Sequence, residues 1–155
     1  MTTSHDSTWA VEEDQPWVRE TTDTLAASRV LRDLAAAKDL YARLRLLDEV
    51  VAKLPAERQG VVLKGLLESQ LPGDFYDAEN LRLAVMARLG DTPGWDSGQV
   101  LTARLAPDRP RPERLLAIEL LAGRPEVGTP ELEAIVRDDH DGVVQSRARW
   151  ALGKR

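Results

Sequence analysis

Few side chains in this sequence are equipped for catalysis. The chain of 155 residues has two histidines, four tryptophans and no cysteine. Without cysteine there is no disulfide framework, no thiolate zinc site and no cysteine nucleophile. His5 stands in an acid-rich N-terminal stretch, so a fixed role for it is not expected. His140 stands among Asp138, Asp139 and Asp141, a set of hard ligands that suggests a metal site. The same turn, Asp139-His140-Asp141-Gly142, has a simpler use, because its carboxylates can cap the free N–H groups that open a helix. No second ligand cluster accompanies it, and no metal or cofactor is expected. There is no glycine-rich phosphate loop, nucleophile elbow or zinc spacing. The 26 acids must include close carboxylate pairs in any fold, and the sequence selects none of them for acid–base work. The expectation is a protein that is not an enzyme.

Binding chemistry has better candidates. Trp9 and Trp17 flank the acidic run Ala10-Val11-Glu12-Glu13-Asp14-Gln15-Pro16. Either they fold back over an apolar end of the domain, or they anchor a short linear motif in a partner, with the acids steering the encounter. Trp150 lies beside Val143 and Arg147 on a helical wheel, off the stripe formed by Val144, Ala148 and Ala151. Burial by a neighbour or by the N-terminal segment is the expected arrangement, and exposure as a contact residue is the alternative. Arg147, Arg149, Lys154 and Arg155 fall in the last nine residues with no acid among them. Arg111 and Arg114 can extend that basic patch, although bases at a helix C-terminus are also ordinary partners of its dipole.

The elements that position these residues follow from composition and spacing. Hydrophobic residues make up 43% of the chain and charged residues 30%. Leu (23) and Ala (19) far outnumber Ile (two) and Phe (one), which favours helix over sheet. The net charge of −5 is not spread evenly. Residues 1–24 hold Asp6, Glu12, Glu13, Asp14, Glu20 and Asp23 against Arg19 alone, and the remainder balances. Residues 1–23 therefore read as an acidic, largely flexible tail, and residues 24–155 as one helical domain. The tail lacks the basic start and apolar run of a secretory signal. No apolar stretch approaches the ~20 residues of a membrane span. A cytoplasmic protein is expected.

From Thr24 onward, apolar residues recur at spacings of three and four. The breaks fall at Ala36-Ala37-Lys38-Asp39, at Pro55, at Leu71-Pro72-Gly73-Asp74, at Asp91-Thr92-Pro93-Gly94, across Pro107–Pro112, at Arg124–Val127 and at Asp138–Gly142. These divide the domain into about eight helices. Gly90, Gly123 and Gly153 read as glycines that stop a helix. Asp96 and Thr129 read as N-caps, the latter followed by Pro130 in the first turn. Strand alternation is absent from the pattern.

Three helices end alike, in Ala87-Arg88-Leu89-Gly90, Leu120-Leu121-Ala122-Gly123 and Trp150-Ala151-Leu152-Gly153. A period near 30 residues with two helices per unit marks an α-solenoid. The last unit, Asp139 to Gly153, resembles the bacterial HEAT-like repeat of the phycobilisome-lyase type, whose second helix follows an acidic turn and reads Val-Arg-x-x-Ala-x-x-Ala-Leu-Gly. Asp139, Asp141, Val144, Ala148, Ala151, Leu152 and Gly153 match, and Gln145 stands where the repeat has Arg. The likeness extends more loosely over residues 74–153. It implies a short all-α solenoid of about eight helices in antiparallel pairs, and it carries no catalytic motif.

A solenoid presents an extended surface whose usual occupant is another protein. The leading expectation is a non-enzymatic interaction or adaptor module, with Trp9, Trp17, Arg147 and Trp150 as contact candidates. Some HEAT-like proteins, among them a class of DNA glycosylases, bind nucleic acid on a basic concave face. The alternative is therefore a nucleic-acid binder whose acidic tail competes for the Arg-bearing surface. An enzyme or a lyase-like chromophore handler is the third reading.

Overall fold

A computed structural model describes the backbone of residues 16–155 and the side chains of residues 24–155 other than Trp95. Among the described residues there are eight α-helices and no strand. They are α1 (Pro16–Ala36), α2 (Leu40–Lys53), α3 (Ala56–Leu67), α4 (Phe75–Gly90), α5 (Trp95–Ala103), α6 (Arg111–Leu121), α7 (Thr129–Asp138) and α8 (Gly142–Lys154). None of them is long and apolar enough to cross a membrane.

The breaks fall where residue chemistry forbids helix or offers a cap. Asp39 opens α2 by accepting the Ala42 N–H at 2.9 Å, and Asp74 opens α4 by accepting the Asp77 N–H at 2.8 Å. Asp141 opens α8 by accepting from both Val143 and Val144. Each carboxylate satisfies an N–H that the first helical turn leaves without a partner. Pro55 and Pro110 precede α3 and α6, where a missing N–H costs nothing.

Several boundaries differ from the sequence expectation. The first helix begins at Pro16 rather than near Thr24, with proline in the opening position it tolerates best. Residues 16–23 therefore belong to α1, and Trp17 is a backbone position in its first turn. Asp96 and Thr129 do not cap. Gly94 (φ 112°) and Gly128 (φ 78°) hold the cap positions of α5 and α7 instead. Both have the positive φ that a side chain resists, so the turn geometry, not a side-chain acceptor, sets those helix starts. Gly90 and Gly153 lie inside their helices and have no positive φ. At Gly90 the need for glycine is proximity: a Cβ there would sit 2.5 Å from Leu120 Cδ2.

Packing joins the helices in a regular order. α2 packs on α4, α4 on α6, and α6 on α8. α1 packs on α3, and α3 on α5, while successive helices pack as α1–α2, α3–α4, α4–α5, α5–α6 and α7–α8. α5 and α7 do not pack closely. Contacts within the even-numbered row join starts to starts and ends to ends. Arg111 at the head of α6 reaches Asp141 at the head of α8 at 2.7 Å. Arg88, late in α4, binds Asp48 in the second half of α2. Gly90 closes on Leu120 near the end of α6. The helices α2, α4, α6 and α8 therefore run in one direction.

One buried cluster extends from Ala27 to Ala151. Leu34, Leu47, Leu63, Leu81, Met86, Leu101, Ile118 and Leu132 are among its fully enclosed side chains. In α8 the buried set is Val144, Ala148 and Ala151, the stripe read from spacing. Its two alanines let α8 lie close against its neighbours.

Candidate interaction face

The even-numbered helices share a register. The residues at their cap positions are Asp39, Asp74, Pro110 and Asp141, which are 35, 36 and 31 residues apart. Four residues past the cap stand Arg43, Ala78, Arg114 and Gln145. Three of these do the same thing. Arg43 Nε donates to Leu34 O at 3.0 Å, Arg114 Nε to Leu105 O at 3.0 Å, and Gln145 Nε2 to Val136 O at 3.3 Å. Each carbonyl lies nine residues back, at or just past the end of the preceding helix, where the last C=O groups have no helical partner. Ala78 cannot reach. In that unit Arg82 Nη1 and Arg104 Nη2 converge on Leu67 O at 3.0 and 3.1 Å. The two arginines at this place, Arg43 and Arg114, also put positive charge on a helix C-terminus, where the backbone dipole favours it.

The same register places apolar residues in solvent. The second residues of α2, α4, α6 and α8 are Tyr41, Tyr76, Pro112 and Val143, and all four are exposed, Tyr41 by 70% and Tyr76 by 75%. Phe75 is exposed beside Tyr76, with the two rings edge to face at 5.7 Å. Trp150 lies seven residues, or about two turns, beyond Val143 and so on the same stripe of α8.

Trp150 is 44% exposed, and no described residue buries it. The described neighbours therefore do not supply the expected burial, and the side chains of the N-terminal segment lie outside the described residues. Trp150 stands about 100° around the helix from Ala151, which carries it past the edge of the packed stripe. Arg147 and Trp150 are brought together: the guanidinium lies 5.5 Å from the ring centroid, and Lys154 Nζ approaches the same ring at 5.9 Å. Arg147 is fixed in turn by Glu119 Oε1 of α6 at 2.6 Å. A shallow depression lined by Gly142, Val143, Ser146, Arg147 and Trp150 completes the patch. Trp9 and His5 lie outside the described residues, as does the side chain of Trp17.

The basic patch read near the C-terminus is divided: Arg149 and Lys154 are exposed, while the other arginines have partners. Arg111 binds Asp141, Arg114 binds Asp139, and Arg147 binds Glu119. Arg155 donates to the carbonyls of Arg124 and Val127. The carboxylates around His140 are engaged in the same way. Arg114 holds the Asp139 carboxyl below its ordinary range, and Arg111 does so for Asp141, helped by the helix N–H groups of α8. No group of three His, Asp or Glu side chains is placed to hold a metal ion among the described residues.

Sequence reasoning missed a buried charge cluster. Glu113 and Arg104 pair at 3.4 Å with side chains that are almost wholly enclosed. Arg82 lies 3.9 Å from both Glu113 and Glu79. Burial, then the nearby Glu113 charge, raises the Glu79 carboxyl above its ordinary value. This is the carboxylate pair that composition could not select. A Glu113 side chain only 3% exposed offers no access to a substrate, and the cluster secures the end of α3 to α4, α5 and α6.

Comparison with family models, with curated proteins and with solved structures gives no match in any of the three.

Proposed function

We propose that this chain is a short HEAT-like α-solenoid that serves as a non-enzymatic protein-interaction module. The observation that carries the proposal is the exposed apolar series on the even row: Tyr41, Phe75, Tyr76, Val143 and Trp150. A row of parallel helices presenting side chains in register is the kind of extended surface that repeat proteins use for partners. Aromatic residues ringed by charge are the anchors that dominate such contacts. The repeated bond from the fourth residue past the cap to the preceding helix supports the repeat reading, because the resembling family has Arg at the place of Gln145. The partner is assigned to the protein class because the exposed series is aromatic and apolar, and because Arg114 and Arg155 are engaged by Asp139 and by backbone carbonyls. This counts against the nucleic-acid alternative.

Site-specific photo-crosslinking tests the proposal in cells that make the protein. A photoreactive residue at Ser146, within the Trp150 patch, is expected to trap a discrete adduct of defined mass. The same residue at Glu68, exposed past the end of α3, is expected to trap none. Equal labelling at both places would contradict the assignment of the face.

A further inference from the structure

The two rows of helices differ at one place. α1 packs on α3 and α3 on α5, but α5 and α7 pack less closely, approaching where Gly128 faces Thr102. A cavity of about 400 Å³ opens between them. That volume is within the range of pockets that take a ligand or a few side chains. Its walls are Ala103, Leu105 and Pro107 from the α5 side and Ala134 and Ile135 from α7. Ala103 and Pro107 are exposed and Ala134 is half-buried, so this apolar surface is open to solvent. The alanines leave room for an incoming backbone.

Charge around the cavity has one sign to spare. Glu131, Asp138, Asp139 and Arg114 line it. Arg114 is consumed by Asp139. Among the described residues Asp138 pairs with its neighbour Arg137, in a pair that is solvent-exposed on both sides and therefore weak. Glu131 and Asp138 thus flank an apolar floor. We infer that this groove binds a cationic amphipathic helix of a partner protein, with one or two apolar side chains seated between Leu105 and Ile135 and flanking Lys or Arg residues over Glu131 and Asp138. Helix-in-groove docking needs this combination of apolar slot and charged rim. Residues 1–15 are a poor occupant, since they carry four acids and no Lys or Arg. The groove is separate from the Trp150 patch and does not depend on it.

The test is an anisotropy titration of the full chain with a labelled model helix of Leu and Lys, against a helix of Leu and Glu with the same apolar spacing. The Lys peptide is expected to bind and to weaken with added salt. Glu131→Lys combined with Asp138→Lys is expected to weaken it by about tenfold, while Glu49→Lys on α2 and Trp150→Ser leave it unchanged. Ala134→Trp, which fills the groove, is expected to abolish binding. Thermal melts check that each variant is folded, and the surface charge reversals decide the matter should Ala134→Trp fail to fold. Equal binding of the Glu peptide, no binding of either peptide, or loss caused by Glu49→Lys as readily as by the rim pair would overturn the inference. So would a self-associated chain that Glu131→Lys with Asp138→Lys dissociates, which would put a second copy in the groove. Loss through Trp150→Ser alone would place the peptide on the other face.

Discussion

Arg114 ties three elements together through one guanidinium: its Nε donates to Leu105 O after α5, and its terminal nitrogens close on the Asp139 carboxylate after α7. Both side chains are nearly enclosed, so each charge depends on the other. Removing one partner of a buried pair typically costs about 3 kcal/mol or more. Asp139→Asn is expected to lower stability by that order in urea unfolding. The pH dependence has a definite sign. Arg114 depresses the folded-state pKa of Asp139, so the pair contributes above the unfolded carboxyl value of about 3.9 and loses that contribution as pH falls through the lower folded value. The difference between wild type and variant should shrink in that acid window. A constant difference down to the acid limit would show that the cost is steric.

Glu79 should behave in the opposite sense. Its Oε1 is buried without a hydrogen-bond partner among the described residues, and its folded pKa is raised. A raised carboxyl weakens the fold as pH rises past the unfolded value of about 4.3. Glu79→Gln removes that charge and adds a donor beside Glu113. It is expected to raise stability at neutral pH by about 1 kcal/mol, read as a higher melting temperature. The gain should fade as pH falls through the carboxyl range. A loss at neutral pH would mean that the Arg82 attraction outweighs burial.

Gln145 offers a test of the repeated contact. Gln145→Ala removes the donor to Val136 O and is expected to cost about 1 kcal/mol. Gln145→Arg recreates the residue found at Arg43 and Arg114 and is expected to keep wild-type stability. Arg43→Ala removes bonds to both Leu34 O and Ala37 O and is expected to cost about 2 kcal/mol, since charged donors are worth more. If Gln145→Arg destabilises as much as Gln145→Ala, the three contacts are not equivalent.

Two glycines that look alike in sequence should respond in opposite ways. Gly90→Ala forces a methyl group against Leu120 and is expected to destabilise by about 1–3 kcal/mol. Gly153→Ala meets nothing within 4 Å and lies in helix, where it is expected to be neutral or to stabilise by up to about 1 kcal/mol. Melting temperatures of the pair settle this.

The helices and their breaks were legible because proline, glycine and aspartate act locally. Pro55, Pro72-Gly73 and the Pro107–Pro112 run interrupt helix whatever surrounds them. The cap at Asp141 follows from the same local chemistry, whereas Asp39 and Asp74 read only as break residues and the caps expected at Asp96 and Thr129 are held by glycines. What escaped depends on partners far away in sequence. Gly90 reads as a stop signal, yet its role is set by Leu120. Arg114 reads as an extension of a basic patch, yet it is enclosed against Asp139, and Glu113, which no motif marks, is enclosed against Arg104. Trp150 reads as a residue to be covered, yet the described neighbours leave it open. The contact candidates Arg147 and Trp150 do meet in space, because a spacing of three on a helix puts them on one face.

The central claim is that the apolar series on the even row binds a protein partner through Trp150 and its neighbours. The most direct measurement is quantitative affinity purification from cells that make the protein, comparing the intact chain with a Tyr76→Ser/Val143→Ser/Trp150→Ser variant whose thermal melt matches wild type. A defined partner, enriched reproducibly by the intact chain, is expected to be lost with the variant and to return when Trp150 is restored as Phe. Enrichment of the same partner by both chains would contradict the claim.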